Sequence, residues 1–128
     1  MIPKFRAWDV HNMEMFTNDQ LIIWNGNVYA NDSGKISVDK MRGWSIDEKY
    51  LMQSTGLFDK NGVEIFEGDI VHAYSEGARL IGVIEYFDNA CCIKDKNGIY
   101  NPLWINAEHY EVVGNIWEDG ELVEEINE

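Results

Sequence analysis

Three carboxylates stand close together at Glu64, Glu67 and Asp69. Paired carboxylates divide acid and base roles when burial raises the pKa of one of them. Three oxygen donors in one stretch also suit a divalent cation. The neighbouring residues point elsewhere. Thr55, Gly56, Asn61, Gly62 and Gly68 surround the acids, and these residue types build turns. The reading favoured by the residues is a solvated turn region in which the acids serve as turn and cap groups. No catalytic, cofactor-binding or metal site is assigned.

The other reactive side chains are isolated. His11, His72 and His109 lie far apart, and none is spaced with Cys or carboxylate as a zinc site requires. The cysteines, Cys91 and Cys92, are adjacent. Adjacent cysteines do not cross-link distant parts of a chain, so they read as small apolar fillers in a strand, one on each face. Phosphate loops of the G-x-G-x-x-G or G-x-x-x-x-G-K kind are absent, as is a G-x-S-x-G elbow.

A second constellation opens the chain. Side chains in a strand repeat every two residues, so Arg6 and Trp8 share a face. Arg and Trp are enriched in interface hot spots. Phe5, Arg6, Trp8 and Asp9 therefore form a candidate interface, set against the alternative that Trp8 is core and Arg6 makes a local ion pair.

Charge narrows the partners. The 128 residues carry 23 acids and 10 Lys and Arg, a formal net charge of −13. Residues 1–50 hold seven of those acids and six of the bases, and are almost neutral. The rest of the chain is strongly acidic, and residues 118–128 contain no base. Phosphate contacts need clustered Lys and Arg, so neither nucleic acid nor an anionic membrane is an expected direct partner. The opening MIPKFRAWD has no apolar signal core, and no stretch reaches the roughly 18 apolar residues of a membrane span. Together with two thiols free of any evident partner, this leads to the expectation of a cytoplasmic protein.

The elements that position these residues are short strands joined by marked turns. Asn-Gly occurs at Asn25-Gly26, Asn61-Gly62 and Asn97-Gly98. Asn and Gly both tolerate positive φ, which predicts type I′ hairpin turns. The tetrapeptide Asp-Lys-Asn-Gly occurs twice, at Asp59–Gly62 and Asp95–Gly98, and predicts two hairpins built alike. Strand-like runs are Phe5–Trp8, Met13–Phe16, Leu21–Trp24, Val28–Ala30, Ile36–Val38, Leu51–Gln53, Val63–Phe66, Ile70–Tyr74, Leu80–Phe87, Cys91–Lys94, Leu103–Ile105 and Tyr110–Val113 continuing to Trp117. Both faces of Leu80–Phe87 are largely apolar, which predicts a central or strongly curved strand, with Gly82 allowing a bend. Helix is scarce. A short turn around Ser45–Tyr50 has Ser45 as its predicted cap, and a tail helix spans Glu121–Ile126 with Asp119 as its cap.

Three stretches stand out: Ile2–Asp9, Met52–Leu57 running into Asp59–Val71, and Glu111–Glu118. Together they resemble the YopX-like family of bacteriophage and prophage proteins. They occur in the family's order and span the chain. The resemblance implies a phage or prophage gene, an all-β fold and no catalytic assignment. One departure is Asp119-Gly120, where the family leads one to expect Asn-Pro before the last helix. Gly68-Asp69-Ile70-Val71 also looks like the start of the first strand of an SH3-like barrel. The expected architecture is an N-terminal β lobe over 1–48, packed on a small, partly open SH3-like barrel over 49–128 with a short C-terminal helix.

The function expected from these features is a non-enzymatic interaction module that forms a homo-oligomer and meets an as yet unidentified host or phage protein. Two alternatives stand beside it. One is an acidic DNA mimic that inhibits a host DNA-binding protein. The other is a small enzyme or nucleotide-binding module.

Overall fold

A computed structural model describes residues 4–24, 27–31, 43–75, 78–103 and 109–127. The fold is all-β: strands take 58% of the chain and helix 13%. The backbone divides into two units, Met1–Gln53 and Ser54–Glu128.

In the first unit, β1 (Phe5–Asp9) pairs antiparallel with β2 (Glu14–Phe16), Ala7 facing Phe16 and Asp9 facing Glu14. The Asp9 carboxylate closes this hairpin. Its Oδ1 accepts the His11 amide at 3.0 Å, and its Oδ2 accepts the Asn12 side-chain amide at 2.8 Å. On its other side β1 pairs with the start of β6 (Leu51–Phe58), Phe5 facing Gln53. A separate antiparallel sheet has the order β3 (Leu21–Trp24), β4 (Asn27–Asn31), β5 (Gly43–Ile46). Ala7, Phe16, Val28 and Ile46 form the core of this unit, with Leu21, Tyr50 and Leu51 packed against them.

Strand β5 occupies residues outside the predicted strand-like runs. Gly43–Ile46 pairs with β4, and the turn that follows, Glu48–Tyr50, is capped by Asp47 and not by Ser45. The Asp47 carboxylate accepts the Lys49 amide at 3.1 Å. The predicted strand Ile36–Val38 and the first Asn-Gly pair lie outside the described residues.

In the second unit, the later part of β6 pairs with β7 (Glu64–Phe66). Five strands form one antiparallel sheet that curls into a half-barrel. Its order is β11 (Tyr100–Pro102), β10 (Ala90–Lys94), β9 (Ala78–Phe87), β8 (Asp69–Ser75), β12 (Tyr110–Asn115). β9 is central, as its two apolar faces predict. A Cβ on Gly82 would stand 2.4 Å from Ile93 Cγ2 and 2.7 Å from the Lys94 carbonyl oxygen, so this glycine permits close approach of β10. The core holds Ile65, Val71, Ala73, Ile84, Ile93 and Tyr110. Full burial of a side chain such as Ile contributes about 1.5–3 kcal/mol. Helix α1 (Gly120–Asn127) ends the fold. The Asp119 carbonyl receives the first helical amide, from Leu122 at 2.9 Å, while its carboxylate turns back to the Asn115 amide.

The twin tetrapeptides do form hairpin tips built alike. Gly62 and Gly98 each donate to the carbonyl of the leading aspartate at 3.0 Å. Each aspartate Oδ1 accepts the amides two and four residues on, at 2.8 and 2.9 Å for Asp59 and at 2.9 and 3.1 Å for Asp95. The turn differs from the predicted type I′. Only the glycine is left-handed, at φ 80° for Gly62 and 77° for Gly98, which makes a type I turn followed by a bulge. The aspartate side chain supplies the reason, since its two bonds hold the following residues in the right-handed turn. A type I′ turn stands at Asp88-Asn89, joining β9 to β10, where φ is 52° and 63°.

Candidate functional site

The motif around the carboxylate cluster is built into one end of the second unit. β6 carries an irregularity between Ser54, which faces Phe66, and Phe58, which faces Glu64. Side chains stitch the irregular stretch in place. Thr55 Oγ1 donates to the Ile65 carbonyl at 2.7 Å and accepts the Leu57 amide at 3.1 Å. Ser54 Oγ donates to Glu64 Oε2 at 2.5 Å and accepts the Gly56 amide at 3.1 Å. Gly56 supplies the left-handed residue, φ 78°.

The three acids sit in three different settings. Glu64 is half-buried against the Ser54 hydroxyl. Asp69 is 1% exposed, and its Oδ2 accepts the Phe66 amide at 2.7 Å. This corrects the expectation that the whole cluster is solvated. The segment between β7 and β8 turns inward because Gly68 is clamped on both sides, its amide on the Ile84 carbonyl at 2.8 Å and its carbonyl under the Ile116 amide at 2.9 Å. Asp69 goes with it and caps the turn. Glu67 is half-buried and acts electrostatically on Tyr86 and Cys91, raising the pKa of each.

Tyr86 and Cys91 face each other across β9 and β10. The Tyr86 hydroxyl donates to the Ser54 carbonyl at 3.2 Å. Although Tyr86 is 39% exposed as a whole, desolvation, reinforced by the contact with Cys91, pushes its phenol above the ordinary value of 10.0. Burial likewise pushes the Cys91 thiol up, against the lowering effect of the Tyr86 hydrogen bond. Both groups therefore stay protonated near neutral pH. A neutral thiol is a poor nucleophile, and carboxylates that cap backbone amides are poor proton donors. The arrangement braces a turn. Among the described residues no group of three His, Cys, Asp or Glu is placed to hold a metal ion.

Of the four residues of the candidate interface at the N-terminus, two are buried and two half-buried. Trp8 is 4% exposed and Asp9 2%, while Phe5 and Arg6 are half-buried. Alternation suggested one exposed face for Arg6 and Trp8, but three consecutive residues, Ala7, Trp8 and Asp9, are buried. Among the described residues of the first unit, the exposed large apolar side chains are Val10, Met13 and Ile23, the first two in the β1–β2 loop. His11 and His109 are exposed and His72 is half-buried. Cys91 and Cys92 are free thiols, half-buried and buried respectively. The reading of the residues missed the Tyr86–Cys91 pair and an exposed aromatic stack, Phe87 on Tyr100. For Tyr86 a signal was available, since it shares a strand face with Ile84.

Residues 4–124 match the YopX protein family. The chain belongs to the YopX family. Among solved structures, it is similar to the crystal structure of protein EF1440 from Enterococcus faecalis, at 30% sequence identity and a TM-score of 0.58. That likeness covers 96% of this chain and 99% of the other. No curated protein matches. The YopX match runs through both units and includes the whole Ser54–Asp69 turn motif. No helix among the described residues is long and apolar enough to cross a membrane.

Proposed function

We propose that this YopX-family chain is a phage- or prophage-encoded, non-enzymatic interaction protein of the bacterial cytoplasm that associates with itself. The observation that carries this reading is the engagement of the acids whose spacing suggested chemistry. Asp69 caps the Phe66 amide, Asp59 caps three amides, and Glu64 holds the Ser54 hydroxyl. The strand order of the five-stranded sheet supports an SH3-like barrel as the scaffold, a fold that hosts many unrelated functions.

Self-association runs through the first unit in this reading. Residues 1–53 carry seven acids and six bases, so copies meet there with little repulsion. Val10, Met13 and Ile23 are 44%, 66% and 49% exposed and supply apolar contact in place of Trp8. Light scattering coupled to size exclusion tests it. A mass that is a multiple of 14.8 kDa at tens of micromolar is expected. Met13→Asp should lower that mass, since aspartate accepts the left-handed backbone at this position, φ 54°. A monomer throughout would overturn the proposal.

Charge favours a second reading. Residues 54–128 hold 16 acids and 4 bases, which suits an acidic mimic of DNA. Release of duplex DNA from a basic host protein on addition of this chain would support it. An unchanged complex would exclude it for that protein.

A further inference from the structure

The outer face of β9, β10 and β11 carries an aromatic stack that none of the preceding roles uses. The rings of Phe87 and Tyr100 lie 4.1 Å apart between centroids and 8° from parallel. Phe87 remains 51% exposed. Glu85, two residues before Phe87 on the same strand, shares its face. Glu85 Oε2 is shielded from water without a hydrogen-bond donor. Its ion-pair partner, Lys94 Nζ, stands 3.8 Å away, beyond hydrogen-bond length, and also lies 5.7 Å from the centre of the Tyr100 ring. A cation over an aromatic ring beside Glu85 is therefore already present at the Tyr100 end of the stack.

We infer that the exposed Phe87 ring, with Glu85 and Asp88 beside it, is a docking surface for an arginine side chain of a basic protein partner. The inference rests on the reading of this chain as an interaction protein. A guanidinium is planar, stacks on aromatic faces and keeps N–H donors free at its edge. Laid on Phe87, it brings those donors to the exposed edge of the Glu85 carboxylate, a side chain that remains 39% exposed. Charge selects the occupant. The unit that bears the stack has 16 acids against 4 bases, which attracts a cationic segment and repels a phosphate backbone. Lysine fits less well, since its ammonium has no plane to stack.

The test uses two labelled peptides of equal length and charge, one with arginine and one with lysine at the same positions, titrated by fluorescence anisotropy into the intact chain. An exposed cation–π contact changes affinity about two- to fivefold, so the arginine peptide should bind tighter by that factor. Phe87→Leu keeps the apolar bulk and loses the ring, and should abolish the preference. Asp88→Asn keeps the left-handed turn and should weaken both peptides alike. Amide shifts on the unaltered protein should fall on residues 85–88 and 99–101, which reads the same surface without a variant. Equal binding of the two peptides, no binding of the arginine peptide, shifts elsewhere, or a preference that survives Phe87→Leu would each overturn the inference. Mass by light scattering is read separately. A monomer that still prefers arginine defeats self-association and leaves this surface standing.

Discussion

The Asp59 carboxylate accepts the amide of Val112, 53 positions further along the chain, at 2.9 Å. The same side chain accepts the amides of Asn61 and Val63. One buried group thus closes a hairpin and fastens its tip to β12. The backbone of Lys60 adds a bond to the Tyr110 carbonyl at 3.0 Å, and its ammonium meets Glu111 at 3.1 Å.

The twin turns provide an internal control. Asp59→Ala and Asp95→Ala remove the same two local bonds, but only the first also strips the Val112 amide of its acceptor. A buried polar group left without a partner costs about 1–3 kcal/mol. Asp59→Ala is expected to exceed Asp95→Ala by about that amount in urea denaturation. Equal midpoints would mean that the long-range bond contributes nothing.

Acid should find the same residue. Burial raises the Asp59 pKa, but the bonds from Val112, Val63 and Asn61 outweigh it and hold the pKa below 3.8. A depressed carboxylate pKa stabilises the fold above the unfolded value and loses that contribution as pH falls through the folded value. The urea midpoint should therefore drop as pH is lowered below about 4. In Asp59→Asn this part of the drop should disappear.

Tyr86 bears on the alkaline side. Its pKa is raised by burial, so the unfolded chain loses the phenolic proton first as pH rises past 10.0. Its contribution to stability is complete below that value and declines above it. Absorbance titration at pH 11 should show the same number of ionised tyrosines in the native protein and in Tyr86→Phe. One fewer in the variant would show that Tyr86 ionises normally.

Gly82→Ala should cost more than Gly62→Ala or Gly98→Ala. The new methyl would overlap Ile93 and the Lys94 carbonyl, and overpacking costs about 1–3 kcal/mol or more where backbone must shift. Gly62→Ala and Gly98→Ala meet open space and carry only the left-handed backbone cost of roughly 1–2 kcal/mol. Thermal denaturation of the three variants ranks them.

Local chemistry made much of this fold legible. The two Asp-Lys-Asn-Gly tips, the central strand β9 and the tail helix all follow from patterns within a few residues. Turn handedness was misread because the aspartate side chain, not Asn-Gly alone, selects the turn. Strand β5 went unseen because Gly43 is a poor strand former and Ser45 reads as a turn cap. The bond from Val112 to Asp59 and the electrostatic influence of Glu67 on Tyr86 and Cys91 join residues far apart in the chain, which no local pattern encodes. The burial of Trp8 and Asp9 on adjacent positions defeated the rule of alternation for the same reason.

The tip that Asp59 fastens also settles what becomes of a sheet margin. β12 ends the five-stranded sheet, and its outward-facing Tyr110 carbonyl and Val112 amide would otherwise offer a template to any extended chain. The Lys60 amide and the Asp59 carboxylate occupy both. A backbone amide and a charged side chain, standing in for a neighbouring strand, fill those two positions without offering a further strand to extend the ladder. Fibril-like growth from this margin is thereby blocked by a single hairpin, and loosening that hairpin would turn a guarded border into a nucleus for aggregation.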